Sequence, residues 1–151
     1  MKPFHYTACG LDNVYIHGLD VVCDDAGNDT VCFPRINQLH KVIAEGIVRH
    51  SQCMAGNELR FLRTELGYTQ AELADIMDVK GLTIGRWERG EIAVPSVQEA
   101  FIRKHAIEKL NLPISDTIIE LSQRCVPAQG IQNINVAAND NSYCLGDRLA
   151  A

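Results

Sequence analysis

Thr69-Gln70-Ala71-Glu72-Leu73-Ala74-Asp75-Ile76-Met77-Asp78-Val79-Lys80-Gly81-Leu82-Thr83-Ile84-Gly85-Arg86-Trp87-Glu88-Arg89-Gly90 opens with a helix start signal. Thr69 followed by Glu72 makes a capping box, in which two side chains pair with backbone N–H groups that the first turn leaves without partners. Leu73, Ala74, Ile76 and Met77 then form the apolar stripe of a first helix. Small Ala74 lets a second helix approach closely. Val79 in the connection, and Ile84 with Trp87 three positions apart, anchor that second helix to the same core. The pattern leaves Lys80, Gly81, Leu82, Thr83 and Arg86 facing outward. Gly85 inside the second helix costs up to about 1 kcal/mol relative to alanine, so packing around Ile84 and Trp87 has to hold it.

Outward from this pair, residues 55–110 carry four helical patterns, punctuated at Gly67, around Asp78 to Gly81 and from Gly90 to Pro95. Upstream, Asn13 to Ile16, Val21 to Cys23 and Thr30 to Phe33 are β-branched or aromatic runs separated by Gly and Asp clusters, and Asp25 to Asp29 suits a hairpin turn. From Asn37 to His50 the period becomes helical, with Leu39, Val42, Ile43, Gly46 and Ile47 on one face and Asn37 as the expected N-cap. Beyond Pro113 a helix is expected over Ile114 to Arg124, and Ile131 to Val136 alternates at strand period. That tail either pairs with the N-terminal strands or is disordered. The expected fold class is α+β: a small β-rich N-terminal module (1–36), a connecting helix (37–54), an all-α helix-turn-helix domain (55–110), and a C-terminal helix with a strand or disordered tail (111–151).

The spacing of Thr-Gln-x-x-Leu-Ala from Thr69, the central Ile76, and Trp87-Glu88 with Gly90 resembles the lambda-repressor-like (Cro and Xre type) helix-turn-helix family over about residues 56–110. The resemblance implies that Gln70 clamps a phosphate at the groove edge and that Leu82 and Arg86 face base edges. It also implies that Arg63 on the preceding helix pairs with Glu88. The position of Glu88 beside the anchoring Trp87 points to a partly buried pair. Family members often carry Ser, Thr or Asn at the position of Lys80 and a reading side chain at that of Gly81, so direct readout here falls on few residues. Arg86 is the expected base reader, because a guanidinium makes paired hydrogen bonds to guanine O6 and N7, and Lys80 is expected on phosphate. With the segment from His5 to Val14, the whole chain also resembles antitoxin regulators of the MqsA (YgiT) group, although their paired Cys-x-x-Cys knuckles are absent.

Composition sets the bounds. With 151 residues and a net charge of −5, indiscriminate polyanion binding is disfavoured, because it draws on counterion release by Lys and Arg. No apolar run approaches the roughly 18 residues of a membrane span, and Met1 to His5 lacks a signal-peptide core, so a cytoplasmic protein with no membrane partner is expected. The six cysteines (Cys9, Cys23, Cys32, Cys53, Cys125, Cys144) are irregularly spaced, and reduced thiols without bridges are expected. Cys9, Cys23 and Cys32 with His5 or His17 are conceivable zinc ligands, but without a tight Cys pair the reading is buried thiols and no metal or other cofactor. There is no His-Glu-x-x-His, no nucleophile turn and no phosphate-cradling Gly loop, so no catalytic residues are assigned. The expectation is a sequence-specific duplex-DNA-binding regulator acting as a homodimeric repressor on inverted repeats. The alternatives are an antitoxin that also binds a protein toxin and, remotely, a zinc-dependent nucleic-acid enzyme.

Overall fold

The computed structural model describes residues 3–19, 21–23, 25–31, 33–50, 53–123, 133–138 and 142–146. Strand β1 (Phe4–His5) pairs antiparallel with β2 (Val14–His17), and β3 (Val21–Cys23) with β4 (Asp29–Val31) forms the expected hairpin, Val21 opposite Val31. Helix α1 (Ile36–Arg49) follows, then α2 (Gly56–Leu66), α3 (Gln70–Met77), α4 (Gly81–Glu88), α5 (Ser96–Lys109) and the short α6 (Ile118–Ser122). The chain ends its described course in β5 (Ile134–Ala138) and β6 (Tyr143–Leu145).

The C-terminal tail takes the first of its two expected courses and pairs with the N-terminal strands, so the β-module is built from both ends of the chain rather than from residues 1–36 alone. Strand β5 lies parallel to β2, with Val14 opposite Ile134 and Ile16 opposite Val136, and β6 closes the four-stranded order β1-β2-β5-β6. The fold is α+β, with its main sheet made from both ends of the chain. The alternation of Ile134 and Val136 carries the reason, because these side chains are buried while Asn135 between them is exposed. A strand with one apolar face needs a partner sheet, and β2 offers Val14 and Ile16 on the matching face. Of the predicted strand Ile131 to Val136, the first two residues lie outside the described residues.

Helix α1 packs against β5 and β6 on one side and α2 and α5 on the other, and it buries the face that its periodicity marks. Leu39, Val42, Ile43, Gly46 and Ile47 are all buried, and Gly46 lies against Ile134 and Leu145. Its start differs from expectation. Arg35, in the left-handed conformation, occupies the N-cap position without a side-chain cap, and Asn37 lies exposed inside the helix. The C-terminal helix is also shorter than the apolar pattern suggests, since Thr117 caps it by accepting from the Glu120 N–H and Ile114 to Asp116 run outside helical geometry. Arg124, the end of the predicted span, lies outside the described residues.

The far end of α1 is joined to the helical domain by buried polar groups. Fully buried Arg103 of α5 donates to the carbonyls of Ile47 (3.0 Å), Val48 (2.7 Å) and His50 (3.1 Å), taking up acceptors that a helix end leaves without partners. The Arg103 guanidinium also pairs with Glu99 at 2.7 Å, and Glu99 accepts the Met54 N–H at 2.7 Å. Beside them His50 Nε2 meets Glu58 Oε2 at 2.8 Å, and Glu58 Oε1 accepts from the Ala55 N–H. One continuous apolar core runs from Val14 and Val136 through Ile43 and Ile47 to Leu62, Ile84 and Ile102.

The thiols do not all follow expectation. Cys9 and Cys144 are free, but Cys53 is disulfide-bonded, so the prediction of reduced cysteines fails there. Spacing along a sequence carries no information about which sulfurs the fold brings within bonding distance. Cys32 and Cys125 lie outside the described residues. Among the described residues no helix is long and apolar enough to cross a membrane.

Candidate nucleic-acid interface

The capping box forms as read. Thr69 Oγ1 accepts from the Glu72 N–H at 3.1 Å and the Thr69 N–H points to Glu72 Oε1 at 3.4 Å, which starts α3 at Gln70. Asp78 turns the chain in the left-handed conformation that ends α3, and Lys80 stands at the N-cap of α4 with no side-chain cap. The start of α4 is thus left without a side-chain cap beside an exposed lysine, an arrangement that attracts anions.

Helix α4 is sorted into two faces. Ile84 is fully buried and Trp87 is 4% exposed, whereas Leu82 is 63% exposed and Arg86 lies on the same outer side one turn on. Lys80 is exposed, and Gly81 and Thr83 are half-buried at the start of the helix. Neither Lys80 nor Arg86 forms an ion pair among the described residues. Arg89 is different, since it is held by Glu91 at 3.1 Å, and its hydrogen bond holds the Glu91 carboxyl below the usual carboxylate range.

Gln70 and Glu88 are linked in a way that sequence spacing did not reveal. Glu88 Oε1 accepts from Arg63 Nε at 2.7 Å, Arg63 also donates to the Tyr68 carbonyl at 2.9 Å, and the second Glu88 oxygen accepts from the Gln70 amide. The Arg63 and Glu88 side chains are 15% and 5% exposed, so the pair is partly buried as expected. Gln70 thus gives one amide proton to Glu88, and its exposed amide group keeps a second for another acceptor. Gly85 gains a reason here. A side chain at that position would start 3.0 Å from the Arg89 guanidinium and 3.5 Å from Gln70 Oε1, in the space where Gln70 reaches α4.

Gly56 escaped the sequence reading altogether. A β-carbon there would lie 2.5 Å from the Trp87 carbonyl oxygen, so only glycine lets the start of α2 rest on the end of α4. The signal could not be read from the chain, because the close approach joins residues 31 or more positions apart. Of the candidate zinc ligands, the two histidines have other partners. His5 stacks on Tyr15 and bonds the Asp12 carbonyl, and His17 bonds Asn135, while Cys32 and the side chain of Cys23 lie outside the described residues. Among the described residues no group of three or more His, Cys, Asp or Glu is placed to hold a metal ion.

The family model described as helix-turn-helix matches residues 59–102. These residues form a Cro/Xre-type helix-turn-helix domain. The match runs from within α2 to the middle of α5, and α3 and α4 are its two signature helices. It is a DNA-binding domain of the kind typical of regulators that are not enzymes. Comparison with curated proteins and with solved structures returns no match for the chain.

Proposed function

We propose that the chain is a sequence-specific transcriptional repressor that inserts α4 of its helix-turn-helix domain into the major groove and binds inverted repeats as a homodimer. The observation that carries this reading is the division of α4, with Ile84 and Trp87 locked in the core and Leu82 and Arg86 exposed on one face. Arg86 reads a guanine, Leu82 packs on a thymine methyl or base edge, and Thr83 and Gly81 let the helix approach closely. Lys80 and the open amides beside it hold phosphate, as does the second amide proton of Gln70. We take residues 55–110 as the DNA-binding unit, framed by the segments 1–36, 37–54 and 111–151. The protein works inside the cell, where duplex DNA is.

A second protomer is required on physical grounds, because one recognition helix touches too few base pairs to select a site in a genome. Exposed Ile76 on α3 and exposed Val97 and Phe101 on α5 border one shallow apolar groove of about 230 Å³ and support such an association. The antitoxin alternative draws on sequence resemblance alone and calls for a protein toxin that copurifies.

The test selects bound sites from random duplexes at stated salt, with wild type and Arg86→Ala, alongside sedimentation of the free protein. The expected result is a two-fold symmetric site for wild type, and for Arg86→Ala a loss of about 1–3 kcal/mol per half-site confined to one base pair in each half. A folded Arg86→Ala protein with the wild-type preference at every position would remove Arg86 as a reader.

A further inference from the structure

The turn at residues 8–10 stands over α2, and between them opens a cleft of about 490 Å³, within the range of small-ligand sites. The turn is fixed by the Gly10 N–H bonding the Thr7 carbonyl at 3.0 Å and by fully buried Leu11 just after it. Arg60, Asn57, Glu65, His40, Cys9 and Glu88 bring polar groups to the cleft, and Phe61 adds an apolar wall.

Two of these groups are incompletely used. The Arg60 side chain makes no hydrogen bond or ion pair among the described residues. Glu65 has one oxygen engaged: the Tyr6 hydroxyl meets His40 Nε2 at 2.9 Å and His40 Nδ1 meets Glu65 Oε1 at 2.9 Å, an aligned chain that leaves Glu65 Oε2 open. Burial pushes both the Tyr6 phenol and the Cys9 thiol above their ordinary values, so Tyr6 remains a donor in this chain and Cys9 stays a neutral wall rather than a thiolate.

A cation and a half-satisfied carboxylate in one cleft select against simple ions. A dianion drawn to Arg60 meets Glu65 and Glu88, and a plain amine leaves Arg60 unanswered. We infer that this cleft binds a small zwitterion of the amino-acid class, its carboxylate on Arg60 and its ammonium on Glu65. The pairing is chemically matched, because guanidinium and carboxylate form parallel charge-assisted hydrogen bonds. The site also touches the DNA-binding apparatus. Glu88 forms part of the wall and is the acceptor that holds Arg63 and Gln70, so an occupant changes the surroundings of the residue on which Gln70 is placed. Binding is therefore linked to DNA affinity, a step that rests on the proposed function, whereas the binding site itself does not.

The experiment measures thermal shift and calorimetric binding of the proteinogenic amino acids to the full chain, with Arg60→Gln and Glu65→Gln alongside. Arg60 is exposed, so its variant should fold as wild type. The expected result is saturable stabilisation by at least one amino acid, about 10-fold or more weaker in each variant, with no binding of the same compound N-acetylated. No stabilisation of wild type by any amino acid, equal binding to the variants, or equal binding of the N-acetylated form would overturn the site. With a binding amino acid identified, operator affinity is measured with and without it. A change supports the link through Glu88, and binding that leaves DNA affinity unchanged overturns the link alone. A chain that binds the amino acid but no DNA overturns the proposed function and leaves the site standing.

Discussion

Glu88 is the residue on which most depends, because it accepts from Arg63 of α2 and Gln70 of α3 while closing α4. Glu88→Ala leaves the Arg63 guanidinium largely buried and without its carboxylate. The cost is expected at about 3 kcal/mol, the low end for a broken buried pair, because Arg63 keeps the Tyr68 carbonyl and is 15% exposed. Urea unfolding followed by circular dichroism should show a clearly lowered midpoint, and an unchanged midpoint would mean the pair behaves as a solvated one. Arg86 makes the opposite case. It is exposed on the outer face of α4 and forms no ion pair among the described residues, so its removal should change DNA selection and leave stability near wild type. The sequence distinguished these two arginines on different grounds, Arg63 by the family resemblance that sets it against Glu88 and Arg86 by its register opposite Ile84 and Trp87.

Helix boundaries show how far local chemistry reaches. The start of α3 was legible because Thr69 and Glu72 are three positions apart and need nothing else to pair. Thr69→Ala should therefore cost about 1 kcal/mol. Thermal unfolding should show a drop of a few degrees with DNA preference unaltered, and a loss as large as that of Glu88→Ala would argue that Thr69 has tertiary partners too. The start of α1 was not legible in the same way. Asn37 is a good capping residue, yet Arg35 takes the N-cap position, because the chain enters α1 from Pro34, whose carbonyl is held by the Tyr143 hydroxyl at 2.6 Å. A contact from β6 sets that boundary. At α6 the apolar residues from Ile114 onward suggested a longer helix, but Ile114 is buried beyond the end of α5 and the local Thr117 cap begins the helix later.

Across the whole molecule, β5 and β6 complete the sheet that begins with β1 and β2, and α1 packs on both. Deleting residues 133–151 should leave the β2 edge unpaired and uncover Val14, Ile16 and the Gly46 face of α1. The expected result is a chain that binds a hydrophobic dye and has lost its single cooperative urea transition, while helical circular dichroism from 56–109 is retained. A truncated chain with the wild-type midpoint and slope would show that the C-terminal strands add nothing to the core. What could be read along the chain is what short-range chemistry specifies: helical period, the capping box, the two faces of α4 and hence the helix-turn-helix itself. These depend on residues three to seven positions apart, which a helix brings together wherever it sits. The sheet pairing of β2 with β5, the seat of Arg103 on the end of α1, the demand for glycine at Gly56 and the cleft above α2 unite residues far apart in sequence. Their partners are chosen by which apolar faces and unpaired carbonyls meet when the layers close, and no local pattern records that choice.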